Sequence, residues 1–144
     1  MSTEQKIKIF LVDDDALFLR SLEIEFLELE GIIVETYATG ELCIENLDHR
    51  PDIIVLDYHL NGIDQHAING IETLDKIQMF NSAIPVIMLS SQDSIEVAIN
   101  CIHHHAYDYV VKSSTAFYRI QKIINVILEC KKIKTKLDWY IERM

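Results

Sequence analysis

The sequence predicts an α/β fold, with helices on both faces of a parallel β-sheet. Short apolar runs alternate with amphipathic segments in a βα order that repeats five times, which is typical of a parallel sheet with right-handed crossovers. The central run, residues 53–56, is apolar at every position, as expected of a strand that is buried on both faces. No stretch rich in Pro, Gly or Ser divides the chain, so a single domain is expected.

The first βα unit begins with a strand at residues 6–12, which starts by alternating lysine with isoleucine and becomes fully apolar. From Ala16 the periodicity is that of a helix, with leucines spaced among glutamates. Asp15 is well placed to cap the start of this helix, and Gly31 is well placed to end it.

The remaining elements follow from the same change of pattern. Pro51 and the pair Asn61-Gly62 flank the third strand with turn signals, and an unusually long loop follows it. Further strands are predicted at residues 32–37, 83–89 and 107–111, and further helices at residues 39–47, 70–79 and 94–102, with residues 113–115 capping a last helix towards the C-terminus.

Composition limits the class of protein. The chain has 144 residues, of which 49% are hydrophobic, enough for one domain with an ordinary core. No apolar run approaches the ~18–20 residues of a membrane span, and the polar N-terminus shows no secretory signal. Three scattered cysteines favour a reduced, cytoplasmic setting in which each thiol packs in the core. The net charge of −10 argues against direct binding of nucleic acid.

Polar side chains follow the apolar runs at the ends of four predicted strands: Asp13, Asp14, Asp57, Ser90 and Lys112. Because the carboxyl ends of parallel strands lie along one edge of a sheet, these groups should lie close together, at the edge where open α/β sheets bind ligands. Carboxylates in such a group repel one another unless a hard cation such as Mg²⁺ neutralises them. The cation, the lysine and the hydroxyl suit a phosphoryl group, which a carboxylate can accept as an acyl phosphate.

Four segments make the sequence resemble the receiver domain of two-component response regulators, in the chemotaxis-regulator-like superfamily. They are residues 9–15 (IFLVDDD), 54–57 (IVLD), 85–91 (PVIMLSS) and 108–112 (DYVVK). The resemblance covers residues 6–130 and implies the flavodoxin-like fold, a doubly wound parallel sheet of five strands in the order 2-1-3-4-5, here with an extended C-terminal helix. We therefore expect a receiver domain at residues 1–130 and a helical extension at residues 131–144.

The resemblance also implies a role for the polar residues at the strand ends. Asp57 takes the position of the phosphorylated residue. Mg²⁺, or Mn²⁺ in its place, would be bound by Asp14, Asp57 and the backbone carbonyl of His59, with Asp13 acting through a bound water. Lys112 takes the position of the lysine that binds the phosphoryl group.

Further positions are implied for switching and for the lifetime of the phosphoryl group. Ser90 and Tyr109 take the positions of the hydroxyl and the aromatic side chain that change conformation on phosphorylation. The side chains of His59 and Gln92 are expected to tune hydrolysis.

The sequence departs from the family pattern at three places. Asn61 stands where the family usually has Pro. The family's next glycine corresponds to Gly70, so the loop before it is longer than usual and includes Gln65, His66 and Ala67. Lys112 is followed by Ser113 instead of Pro, and since a cis peptide before Ser would cost ~3 kcal/mol, a trans peptide is expected. None of these departures removes an acid or the lysine.

Two other functions stay open on the sequence alone. A haloacid-dehalogenase-type phosphatase would use Asp13 as nucleophile and Asp15 as acid, but that motif requires Thr or Val at the position of Leu17 and a second acidic motif late in the chain. A pseudo-receiver would bind proteins without taking phosphate, and the intact acids disfavour it.

Three consecutive histidines, His103, His104 and His105, could indicate a metal site. Consecutive residues at the end of a helix point in different directions, however, so they make a poor chelate. A solvated helix end is the better prediction, and His105 stands where the family usually has Gly.

The expected function is that of a switch and not of a turnover enzyme. The domain would accept a phosphoryl group from a histidine kinase, a phosphotransferase or a small-molecule donor, and would catalyse only its own phosphorylation and dephosphorylation. Phosphorylation would change how the last two helices and the fifth strand meet a partner, with a homodimer through these elements as one form.

The last helix is longer than the fold requires. An apolar stripe continues along it at three- and four-residue steps through Val126, Cys130, Ile133, Leu137, Tyr140 (or Ile141) and Met144. This stripe is too short to establish a coiled coil. It fits an amphipathic tail that packs on its own domain, a dimer contact, or a connector to an output domain; exposure of Trp139 and Tyr140 would favour a partner.

Overall fold

A computed structural model describes residues 6–91 and 93–144 and contains one five-stranded sheet, in the order β2-β1-β3-β4-β5. All neighbouring strands are parallel. The strands are β1 (Ile7–Val12), β2 (Ile32–Tyr37), β3 (Ile53–Asp57), β4 (Val86–Ser90) and β5 (Asp108–Val111). The predicted class and strand order are therefore confirmed.

Five helices follow the strands in turn. They are α1 (Ala16–Leu27), α2 (Gly40–Glu45), α3 (Gly70–Phe80), α4 (Ile95–His103) and α5 (Ala116–Glu142), with a short 3-10 turn (Leu47–His49) after α2. The long loop predicted after the third strand is present, between β3 and α3.

Two apolar clusters hold the helices against the sheet. On one face, Leu22 and Phe26 of α1 and Ile120 of α5 pack against alternate residues of the strands. On the other face, residues of α2, α3 and α4 pack against the intervening residues, with Leu74 and Cys101 among the fully buried ones. Alternation of side chains across each strand explains why the all-apolar central strands serve both clusters.

The predicted helix ends hold in part. Asp15 Oδ1 accepts the backbone N–H groups of Leu17 and Phe18 at 3.1 and 3.2 Å, so the predicted cap of α1 is confirmed. α1 ends at Leu27 with Glu28 as its C-cap, so the prediction that Gly31 ends the helix is wrong; Gly31 lies in the turn before β2, with a positive φ of 77° that glycine adopts at little cost. Thr115 is the N-cap residue of α5, but its side chain makes no cap hydrogen bond, so the predicted cap is wrong in that respect.

The expected positions of two strand-end residues and of one cysteine need correction, whereas the expected peptide geometry is confirmed. Asp57 and Ser90 are the last residues of their strands and do not lie beyond them. Cys43 and Cys101 are buried, but Cys130 is exposed, so core packing is wrong for that thiol. All peptide bonds described are trans, as predicted for Lys112-Ser113.

The C-terminal part of α5 projects from the domain. Every residue from Glu129 onward is exposed, and the apolar stripe includes Ile133 (64% exposed), Leu137 (56%) and Tyr140 (55%). The stripe is therefore not covered by the rest of the described chain. None of the helices described combines the length and the apolarity needed to cross a membrane.

Candidate functional site

Three carboxylates gather at the carboxyl edge of the sheet, as predicted. One oxygen from each of Asp13, Asp14 and Asp57 lies within 4.8 Å of the other two. Asp13 and Asp57 are almost fully buried, with 1% and 2% of their surface exposed. The backbone of Asp13 is held in place by a hydrogen bond from its N–H to the carbonyl of Tyr37, at 3.1 Å.

Lys112 supplies the positive charge of the site. Its Nζ lies 2.7 Å from Asp13 Oδ2 and 3.5 Å from Asp57 Oδ1, and it lies over the ring of Phe18, 4.8 Å from the centroid. Its backbone N–H donates to the carbonyl of Ser90 at 2.7 Å. Burial alone would lower the pKa of Lys112, but the two carboxylates outweigh burial and raise it, so the lysine is charged at neutral pH.

The cluster of acids at Asp57 would carry more negative charge than the lysine alone can balance. Burial and the nearby charge of Asp13 raise the pKa of Asp57 from 3.8 to about 8, although Lys112 opposes the change. A buried carboxylate in this position binds a proton, or a cation in place of the proton, more readily than an exposed one.

The other two acids are oriented by backbone groups. Asp13 Oδ1 accepts the N–H of Asp15 at 2.9 Å. Asp14 Oδ2 accepts the N–H of Gly62 at 3.2 Å, which ties the end of β1 to the loop after β3. The contact between Asp14 and Gly62 joins residues far apart in the chain, and no sequence pattern indicated it.

The residues just after Asp57 are held in a narrow turn. The N–H of His59 donates to Asp57 Oδ1 at 3.4 Å, and the N–H of Gly70 donates to the carbonyl of Tyr58 at 3.0 Å. A Cβ on residue 70 would come within 2.6 Å of Tyr58 Cα and would also collide with the Asp57 carbonyl. Only glycine allows α3 to begin this close to the strand end.

The donor set fits a hard divalent cation. Carboxylate oxygens are the ligands that Mg²⁺ and Mn²⁺ prefer, and the site offers three of them within 4.8 Å. The raised pKa of Asp57 reflects negative charge that such a cation would neutralise. The residues present therefore fit the metal ion that the sequence predicted.

The remaining predicted residues occupy the same edge or its surroundings. Ser90 is fully buried at the end of β4, and Tyr109 is half-buried in β5, beside the second apolar cluster. The side chain of His59 is exposed, and its ring lies edge-on to that of Tyr58, with centroids 4.9 Å apart. Gln92 lies outside the described residues. The roles predicted for these side chains stay predictions.

The long loop after β3 is anchored at several points. The N–H of Ile68 donates to Glu41 Oε2 of α2 at 3.2 Å, and Ala67 is buried. A capping box ends the loop, because Asn69 accepts from the N–H of Glu72 while the Glu72 side chain accepts from the N–H of Asn69. The end of the loop is thus tied to α2 and α3.

The three histidines do not form a metal cluster among the described residues. His104 Nδ1 pairs with Asp75 Oδ1 of α3 at 2.9 Å, whereas His103 and His105 are exposed. His105 has a positive φ of 70°, which fits a position where glycine is common. The predicted solvated helix end is therefore confirmed for two of the three.

Comparison with known proteins gives a family for the chain. Residues 9–125 match the family model described as the response regulator receiver domain. The protein-glutamate methylesterase/protein-glutamine glutaminase of Bacillus licheniformis is 32% identical over 140 residues, which cover 90% of this chain and 37% of that protein. The luminescence regulatory protein LuxO of Vibrio campbellii is 27% identical over 126 residues, which cover 87% of this chain and 27% of that protein. The chain spans about a third of the length of these relatives.

Solved structures share the same architecture. A response regulator receiver domain protein (CheY-like) from Methanospirillum hungatei superposes with a TM-score of 0.74 at 25% identity, covering 89% of this chain and 98% of that one. The signal receiver domain of a LuxO repressor protein from Vibrio parahaemolyticus gives a TM-score of 0.77 at 21% identity, covering 92% and 97%. The second likeness is one of fold alone.

Proposed function

Because the chain belongs to the response regulator receiver family, we propose that it accepts a phosphoryl group on Asp57 from a phosphorylated histidine of a kinase or phosphotransferase. The observation that carries this proposal is the position of Asp57: a buried carboxylate within 4.8 Å of two further acids and 3.5 Å from a lysine. An acid nucleophile, a cation site and a charged donor together suit phosphoryl transfer.

The transfer exchanges one bond to phosphorus for another. A carboxylate oxygen of Asp57 attacks the phosphorus, and an O–P bond forms as the N–P bond of phosphohistidine breaks. The electron pair of the N–P bond stays with the departing imidazole, which takes up a proton. The product is an acyl phosphate on Asp57, and attack by water later returns the carboxylate and inorganic phosphate.

A divalent cation fits beside the nucleophile. Asp14, Asp57 and the backbone carbonyl of His59 would hold Mg²⁺ or Mn²⁺, with Asp13 acting through water. When bound, the cation neutralises the cluster, keeps Asp57 ionised at neutral pH and balances charge on the phosphoryl oxygens.

Lys112 and Ser90 complete the environment of the phosphoryl group. In the resting protein Lys112 is shared between Asp13 and Asp57, so its ammonium is already close to the position of the new oxygens. Phosphorylation gives it a doubly charged partner, and the Ser90 hydroxyl donates one hydrogen bond. Ser90 and Tyr109 would then carry the change to the surface formed by α4, β5 and α5.

The side chains of His59 and Gln92 would set the lifetime of the acyl phosphate. His59 is exposed next to the nucleophile, where its ring can admit or exclude the attacking water. Dephosphorylation of a His59→Ala, Gln92→Ala double variant should differ in rate from that of the wild type. Identical decay curves would remove both residues from this role.

The proposal is tested by intact mass after incubation with acetyl phosphate and Mg²⁺. We expect one phosphoryl group on the wild type, and none on Asp57→Asn or in the presence of EDTA. A histidine-phosphorylated kinase domain serves as a second donor. Failure with both donors would contradict the proposal and favour the pseudo-receiver; a gain that survives in Asp57→Asn would instead favour Asp13 as nucleophile. A phosphatase that uses Asp13 as nucleophile would need Asp15 as its acid, but the Asp15 side chain already caps α1.

We also propose that the helical extension, residues 131–144, together with the turn of α5 before it, pairs with the same segment of a second copy. Its apolar stripe is exposed and repeats at alternating steps of four and three residues, the spacing of a coiled-coil seam. In a parallel pairing Glu129 and Lys134 occupy flanking positions that face each other across the seam, so their charges attract.

Cys130 provides a test of this pairing, because it is exposed and lies on the seam, whereas Cys43 and Cys101 are buried. Mild oxidation should cross-link two chains through Cys130, and Cys130→Ser should abolish the cross-link. Ile133→Lys should lower the mass in solution from two chains to one, while the same substitution at Thr135, which is exposed and off the stripe, should not. A wild-type protein that is a monomer at all concentrations would contradict the pairing.

A further inference from the structure

A hydrogen bond joins the residue after Asp57 to α4. Asn100 Nδ2, in the middle of α4, donates to Tyr58 Oη at 3.1 Å, between residues 42 positions apart in the sequence. Both side chains are half-buried. This bond is a direct link between the proposed phosphoacceptor and a helix of the proposed switch surface, separate from Ser90 and Tyr109.

The backbone of Tyr58 is fixed on both sides. Its N–H donates to the carbonyl of Leu89 in β4 at 2.8 Å, and its carbonyl accepts the N–H of Gly70 at 3.0 Å. Gly70 allows α3 to approach so closely that any larger residue would collide with this turn. The backbone of Tyr58 is therefore fixed relative to the end of β3 and cannot move freely with α4.

By contrast, α4 is loosely held. Cys101 is its one fully buried residue, and Ile95, Ile99 and Ile102 are 78%, 61% and 62% exposed. An open groove of about 560 Å³ lies between the helix and Tyr58, lined by Glu96, Val97, Ile99, Asn100 and His103. A helix with one buried side chain and free space beside it can shift with little loss of packing.

We propose that the Tyr58–Asn100 hydrogen bond is a latch that positions α4 in the resting protein and opens when Asp57 is phosphorylated. The inference rests on the proposed function. Ser90 ends β4 and α4 begins at Ile95, so a phosphoryl group that draws Ser90 towards it displaces the start of α4. The backbone of Tyr58 is held by Leu89, before the displaced Ser90, and by Gly70 of α3; it does not follow α4, so the bond to Asn100 is broken. Tyr58 and Asn100 are thus positioning residues, which act on Asp57 through the equilibrium between two positions of α4.

Beryllofluoride, a phosphoryl mimic, tests the latch. Its affinity in the presence of Mg²⁺ is measured by calorimetry for wild type, Tyr58→Phe, Asn100→Ala and the double variant. Each single change removes the bond while Tyr58→Phe keeps the ring, so each should tighten binding on the order of fivefold, as loss of one neutral hydrogen bond from the resting state would. The double variant should gain no more than either single variant, because both remove the same interaction.

Ile102→Ala is the matched control. It shortens a side chain of the same helix that is 62% exposed and is not among the residues that line the groove beside Tyr58, so it should leave the affinity for beryllofluoride unchanged. Amide hydrogen exchange gives a second readout: Tyr58→Phe and Asn100→Ala should speed exchange across α4 by the same factor, with no change in β3.

The outcomes separate the latch from the function on which it rests. If the wild type binds beryllofluoride and the variants bind it equally well, the latch is refuted and the proposed function stands. Additive effects of the two changes would also refute it, since they would then act independently. A wild type that does not bind beryllofluoride would overturn the proposed function and the latch together.

Discussion

Replacing Asp57 by Asn should stabilise the metal-free domain at neutral and alkaline pH. In the unfolded chain this carboxyl loses its proton near pH 3.8, whereas burial and the charge of Asp13 raise its pKa to about 8 in the folded chain. Between these values the folded state binds more protons than the unfolded state, so the contribution of Asp57 to stability is complete below pH 3.8 and is lost as the pH rises to about 8.

The size of the effect follows from the same difference in pKa. It corresponds to at most about 6 kcal/mol, and because Lys112 can move towards an ionised Asp57, we expect about 2 kcal/mol in the free energy of unfolding. Asn at this position has nothing to ionise, so the variant should be more stable than the wild type at pH 8 and similar to it at pH 4.

Urea unfolding in EDTA, followed by circular dichroism between pH 4 and 8.5, measures this difference. Asp48→Asn is the control, because Asp48 is exposed and should give a curve parallel to that of the wild type. Mg²⁺ should stabilise the wild type more as the pH rises, and Asp57→Asn much less. If the wild type and Asp57→Asn have parallel pH profiles without metal, the reasoning about buried charge is wrong.

Three further perturbations have expected outcomes. Lys112→Met leaves two buried carboxylates without their cation and should cost about 3 kcal/mol in urea unfolding, whereas Lys132→Met, on the exposed extension, should change little. Gly70→Ala forces a Cβ into the turn after β3 and should lower the free energy of unfolding in urea by at least about 2 kcal/mol. A cost as small as that of an exposed Gly→Ala change would contradict the close approach of α3 to the end of β3. A disulfide reagent should modify Cys130 alone in the native protein, because burial raises the pKa of the Cys43 thiol to about 12 and that of the Cys101 thiol to about 11. Rapid labelling of all three thiols would contradict the burial of Cys43 and Cys101.

The parallel sheet and the acidic site could be predicted because both depend on patterns local to each βα unit, whereas the strand order was implied by the resemblance to receiver domains. An apolar run followed by a polar residue marks the end of a buried strand, and parallel topology then places Asp13, Asp14 and Asp57 at one edge. The lysine at the end of the fifth run follows from the same reasoning. These residues needed no knowledge of loop geometry.

The contacts that sequence reasoning missed all join distant parts of the chain. The hydrogen bond between Gly62 and Asp14 depends on the path of the inserted loop, and that between Asn100 and Tyr58 depends on how far α4 sits from β3. The spacing of apolar residues along the sequence predicts neither of these two contacts. The exposure of Cys130 was missed for a related reason, because helical spacing shows a stripe but not where the domain ends beneath it.

The proposed function requires that Asp57 is the residue that carries the phosphoryl group. Borohydride reduces an acyl phosphate to the alcohol, so protein treated with acetyl phosphate and Mg²⁺, then with borohydride, and analysed by peptide mass spectrometry should contain homoserine at position 57. Homoserine at 57 only in samples with donor and metal is the predicted result. Homoserine at Asp13 or Asp14, or at none of the three after treatment with a phosphorylated kinase as well, would contradict the claim.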